Sequence, residues 1–137
     1  MNKKCNICHA MKTLEKEQKI LTSIGVDFQF LCMSEKYDTI PFMLHNNEKN
    51  KPFMAHHKCI ATPFFRLEKL DEELCCAELS LLEAIDMEGN PADSVEDLFA
   101  LRKTKSCIIV NLCCFCVINP FPPELVNRAL PIIEPKK

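Results

Sequence analysis

Within its first nine residues the chain places two cysteines three positions apart with a histidine directly behind them, C-N-I-C-H at Cys5 to His9. Such a pair can ligate a metal, exchange a disulfide or carry an attached haem. A second short-spaced pair follows at His56 and Cys59. Zinc takes four nitrogen or sulfur ligands in a tetrahedron, and two short-spaced pairs supply them. The first expectation is therefore one structural zinc held by Cys5, Cys8, His56 and Cys59, with His57 as the substitute for His56. Metal binding in such a site is folding free energy, and it would clamp a chain start that has few core contacts of its own. Cys32, His45, Cys113 and Cys116 offer ligand types for a second zinc. Cys113, Cys114 and Cys116 lie in an apolar run, however, which gives them an alternative reading as small buried hydrophobes. Haem attachment at C-N-I-C-H would require export, and no apolar stretch follows the charged start as a secretion signal demands. Cys32 or Cys59 with a histidine could form a nucleophile–base pair, but no local signature singles one out.

The chain that must position these groups has 137 residues, enough for one domain with its own core. It is 47% hydrophobic and 26% charged, with a net charge of −2, so no strong field draws it to nucleic acid or to an anionic membrane. With no Trp and one Tyr, little is available for stacking on bases. Gly occurs twice, and neither Gly-rich phosphate motif is present. The longest apolar run, Cys107 to Ile118, is broken by Asn111 and is too short to span a bilayer. These features predict a cytoplasmic or otherwise intracellular protein, whose ten cysteines are metal ligands, redox groups or buried small hydrophobes rather than a disulfide framework.

Periodicity supplies the elements. Met11, Leu14, Leu21 and Ile24 predict an amphipathic helix that stops at Gly25. Val26, Phe28, Phe30 and Cys32 alternate as in a strand. I-P-F-M-L and P-F-M-A-H, either side of a polar segment, predict a hairpin. Leu67, Leu70, Leu74, Ala77, Leu81 and Ile85 recur at helical spacing, so 66–89 is expected as a long helix ended by Gly89-Asn90-Pro91, with Asp71-Glu72-Glu73 on its solvated face. A short helix is expected over Ser94–Arg102, capped by Asp93 or Ser94. S-C-I-I-V-N-L-C-C-F-C-V-I reads as one central strand. Pro122 and Pro123 should start a last short helix.

In that order, a C-x-x-C turn, a hairpin and a ligand pair leading into a helix resemble a treble-clef zinc finger. C-x-I-C and H-x-x-C-I are also similar to the first and third ligand pairs of RING-H2 domains. That resemblance implies a protein-interaction module that docks a ubiquitin-conjugating enzyme, with the second and fourth pairs on the second zinc. A rival resemblance is to glutaredoxins, carried by C-N-I-C-H at a helix start, the following G-V-D-F and Thr39-Ile40-Pro41. It implies a thiol–disulfide oxidoreductase with Cys5 as nucleophile, Cys8 as resolving thiol and Pro41, in cis, shaping the groove.

The resulting expectation is an α+β domain over 1–137. A zinc-stabilised treble-clef-like half over 1–88 (knuckle, hairpin, helix) would be followed by a helix–strand–helix half over 89–137 with one buried strand. Its function would be protein binding, without nucleic acid or membrane. A metal-free adaptor, whose Leu-rich helix forms core or partner surface, stays open beside the zinc and redox readings.

Overall fold

The computed structural model describes residues 6–27, 37–46 and 51–131. One helix, α1 (Asn6–Asp27), is followed by strands β1 (Phe42–Asn46), β2 (Ala55–His57), β3 (Ile60–Thr62), β4 (Phe64–Asp71), β5 (Cys76–Ile85), β6 (Ala100–Asn111) and β7 (Phe115–Pro120). Five strands form an antiparallel sheet in the order β6-β5-β4-β1-β7, and β2 and β3 form a separate two-stranded ribbon. The fold is mostly β, which corrects the expected α+β layout of zinc knuckle, hairpin and long helix.

The largest correction lies at 66–89. There the chain forms the β4–β5 hairpin, not a helix. Phe65, Leu67, Ala77, Leu79 and Leu81 turn to one face and are buried, while Leu74, placed on the helical stripe by the sequence, is 71% exposed at the turn. The turn is built by Asp71, whose Oδ1 accepts from the backbone N–H groups of Glu73 (3.0 Å) and Leu74 (3.1 Å). Cys75 completes it in the left-handed region, at φ +52°. Leucines repeating at three and four positions fit a helix, but the alternation Ala77-Glu78-Leu79-Ser80-Leu81 fits a strand equally well, and pairing to β6 decides.

Other elements differ more locally. α1 continues through Gly25, so Gly25 does not end it. Of the strand expected over 26–32, Val26 and Asp27 belong to α1, and the rest lies outside the described residues. The expected hairpin around 40–56 is half right. β1 forms, but it pairs along its whole length with β7 and at Phe42 with Phe65 of β4, and among the described residues the returning arm makes a bridge from Pro52 to His45 and a hydrogen bond from Phe53 N to Leu44 O (2.7 Å). The short helix expected over 94–102 is a single 3-10 turn at Val95–Asp97, after which β6 begins. The last helix is likewise one 3-10 turn, Pro123–Leu125, with proline at its start as expected. The single central strand is two edge strands, parted at Asn111, whose Oδ1 accepts from Cys113 N (3.0 Å) to make a 3-10 turn at Leu112–Cys114.

That turn fixes the sheet's shape. Asn111 ends one edge strand and Phe115 starts the other, and four residue steps reach about 14 Å at most. The outer strands of a flat five-stranded sheet lie about 19 Å apart. The sheet is therefore curled, and α1 lies against its inner side, contacting β4, β7 and the 112–114 turn. Ile7, Met11 and Leu14 of α1 enter the main core with Phe42, Leu44, Phe65, Leu67, Leu79, Leu81, Leu112 and Phe115. Phe53 bridges this core, with its ring 5.7 Å from Phe65 and 5.2 Å from Phe115. Gln18 continues the apolar stripe of α1 and is itself buried. Its Nε2 donates to Leu67 O and its Oε1 accepts from Ile40 N, each at 3.0 Å, so one amide ties the helix to β4 and to the entry of β1. A smaller cluster of Met43, Phe64, Leu82 and Leu101 covers the opposite face, where the 121–126 segment packs on it.

Candidate functional site

Cys5 and Cys32 lie outside the described residues. Cys8 is half-buried on the inner side of α1, where it packs against the core and hydrogen-bonds Cys75. The contact is reinforced by an ion pair between Lys12 of α1 and Glu72 of the β4–β5 turn. Burial, with the hydrogen bond and charge of Cys8 and the charge of Cys76, pushes the Cys75 thiol up to about 12. A thiol so raised stays protonated and is a poor nucleophile.

His56 and Cys59 fall on the β2–β3 ribbon, both exposed, with Lys58 between them in the left-handed region at φ +55°. No helix follows them, because 64–85 is a hairpin, so the helix N-terminus that would favour a thiolate ligand at Cys59 is not there. His57 is half-buried, and its Nδ1 is buried without a hydrogen-bond partner. His45 sits on β1, and its carbonyl accepts from Cys116 Sγ at 3.6 Å. Cys113 is disulfide-bonded. Thus the structure brings together Cys8 with Cys75 and His45 with Cys116, but among the described residues no three His, Cys, Asp or Glu side chains gather as metal ligands. Pro41 is buried at the entry of β1, its peptide bond is trans, and its carbonyl accepts from Phe121 N (2.8 Å).

What the structure does present is thiols on the surface. Cys59 is exposed at the ribbon turn, Cys107 on β6, Cys114 on the 112–114 turn and Cys116 on β7. The reading of Cys114 and Cys116 as core hydrophobes is thereby corrected: Leu112 and Phe115 are the residues of that run that turn inward. Strand alternation exposes Cys107 and Ile109 while burying Val110. At Cys107, partial burial followed by the charges of Glu78 and Glu68 raises the thiol above its ordinary value, so it needs a more alkaline solution to react. Cys107 was not singled out from the sequence. The two-residue alternation around Cys107 was the available signal.

A family model for spore coat protein Z matches residues 3–123. The chain belongs to the spore coat protein Z family. Among its relatives is spore coat protein Z of Bacillus subtilis (strain 168), 33% identical over an aligned length of 147, with 93% of this chain and 97% of the relative covered. No solved structure matches. Membership in this family overturns the resemblances to treble-clef, RING-H2 and glutaredoxin proteins, and with them the reading as a zinc-binding ubiquitin-ligase adaptor or a thiol–disulfide oxidoreductase. The cysteine richness behind those resemblances is real. No helix among the described residues is long and apolar enough to cross a membrane.

Proposed function

We propose that this protein is a structural building block of a bacterial spore coat, joined to neighbouring coat proteins by disulfides from its exposed thiols. The observation that carries this reading is the dispersal of Cys59, Cys114 and Cys116 over a turn of the ribbon, a 3-10 turn and an edge strand, all exposed. A unit with two linkable points makes a chain, whereas three or more make a network. Each linkage joins two thiols as a disulfide and passes two electrons and two protons to an oxidant, either dioxygen or a disulfide undergoing exchange. Residence in the coat, outside the reducing cytoplasm, is where such bonds persist. The family match and the curated relative support the coat assignment, and other coat proteins, copies of this chain included, are the partners it implies.

The test compares the purified chain with a Cys59→Ser/Cys114→Ser/Cys116→Ser variant. Both are exposed to oxidised glutathione and sized in denaturant, without and with reductant. The native chain should form multimers beyond the dimer that reductant disperses, and the variant should remain largely monomeric. A native chain that stays monomeric after oxidation would overturn the cross-linking role.

A further inference from the structure

We infer that the second half of the β6 edge, Cys107–Asn111, is a docking strand for the same strand of a second copy, paired antiparallel about a two-fold axis at Ile109. This deepens the coat reading and rests on it for the partner being another copy in the same layer. The contact itself needs no disulfide.

β6 is an outer strand of the sheet. Its start is covered: Leu101 bridges to Val126, and Asn127 N donates to Leu101 O at 2.7 Å. Its middle is guarded in the manner of natural edges, by Arg102, Lys103 and Lys105 and by an irregularity that sets Thr104–Ser106 opposite Leu81 alone. From Cys107 onward the guard stops. C-I-I-V-N is uncharged and β-branched, and it pairs regularly with β5 from Ser80–Cys107 to Cys76–Asn111. Among the described residues no other backbone group hydrogen-bonds to it. Ile109 is 77% exposed there, the most exposed large hydrophobic side chain among the described residues. An exposed, regular, apolar edge of this kind is a template for strand addition.

Charge selects the occupant and the direction. Parallel pairing of two copies would set the basic residues 102, 103 and 105 beside one another, and like charges directly opposite are destabilising. Antiparallel pairing about Ile109 sends the two basic flanks to opposite ends. It sets Ile109 against Ile109 of the second copy, Cys107 against Asn111 and Ile108 against Val110. All of these pairs are uncharged, and each keeps its side chains on matching faces. The five-residue contact is small, so it should be reversible and concentration-dependent, gaining strength from other links in an assembled layer.

The experiment is sedimentation velocity of the full chain in excess reductant across a range of concentrations, which removes every disulfide linkage from the readout. The native chain should show a reversible monomer–dimer equilibrium. Ile109→Lys, a change at an exposed position that the fold tolerates, should weaken it by about tenfold or more, through loss of the paired isoleucines and the new opposition of two lysines. Val117→Lys on β7, the other edge strand, should leave it unchanged. A native chain that is monomeric throughout, a dimer indifferent to Ile109→Lys, or one dispersed by Val117→Lys instead would each overturn the proposal. Because the disulfide test is made under oxidation and this one under reduction, failure of one is distinguishable from failure of the other.

Discussion

Replacing Gln18 by leucine should unfasten α1 from the sheet without changing the shape of the helix. The side chain is buried, and its amide holds Leu67 O and Ile40 N at 3.0 Å each. Leucine fills nearly the same space and removes both partners. Orphaning a buried backbone group costs about 1–3 kcal/mol. Leu67 is buried and should stand high in that range, whereas Ile40 is half-buried and water can reach it, so it should stand low. The added apolar surface returns about 1 kcal/mol. The net loss is then about 2 kcal/mol, a large share of the 5–15 kcal/mol typical of a domain. Urea unfolding in reductant, followed by far-ultraviolet circular dichroism, should show the midpoint falling by about 1 M at an unchanged slope. Gln18→Glu should cost more at neutral pH, because a carboxylate can accept from Ile40 N but only repel Leu67 O. Part of that loss should return as the solution is acidified and the carboxyl gains a proton to donate. A Gln18→Leu variant as stable as the native chain would refute the clamp.

Four further outcomes follow from the same structure. Leu79→Ala, at a fully buried position, should cost about 3 kcal/mol, while Leu74→Ala at the exposed turn should be neutral in the same unfolding assay; the reverse order would favour a helix over 66–89. Gly89→Ala should destabilise by about 1–2 kcal/mol in thermal unfolding, because Gly89 sits at φ +90° and a Cβ there would also meet Leu130 Cδ1 at 3.3 Å. Partial burial raises the carboxyls of Asp38 and Glu68, but hydrogen bonds from Lys103 and Thr39 to the first and from Ser80 and Arg66 to the second, with the charges of Lys103 and Arg66, outweigh it and hold both below their ordinary values of 3.8 and 4.5. Their contribution is thus present above those values and lost as pH falls through the depressed ones, so Lys103→Ala should flatten the acid side of a stability–pH curve. Brief alkylation of the native chain, read by mass spectrometry, should label Cys59, Cys114 and Cys116 and leave Cys75 unlabelled until urea is added.

What the sequence discloses is uneven, for physical reasons. Met11 and Leu14 mark the buried face of α1, because a solvent-facing helix writes its period plainly. Gln18 on the same stripe is silent, since a buried amide in a hydrophobic row declares itself only when its partners 22 and 49 residues away are known. The β4–β5 hairpin is ambiguous because leucine fits either period, and the choice is made by β6, a non-local strand. Asn111 interrupts the apolar run, and that interruption is where one expected strand becomes two at opposite edges of a curled sheet. The exposure of Cys59 and Cys116 is not legible in their spacing. Short spacing between Cys5 and Cys8, or His56 and Cys59, suggests ligands, yet Cys8 turns inward to Cys75 while Cys59 stays exposed on the ribbon.

The central claim is that exposed thiols link one chain to the next. It is tested most directly by mixing light and nitrogen-15-labelled protein, oxidising the mixture and mapping disulfide-bridged peptides by mass spectrometry. Mixed-isotope bridges through Cys59, Cys114 and Cys116 are the predicted result. Bridges confined to peptides of a single isotope, or inter-chain bridges running through buried Cys75 in place of the exposed thiols, would contradict the account.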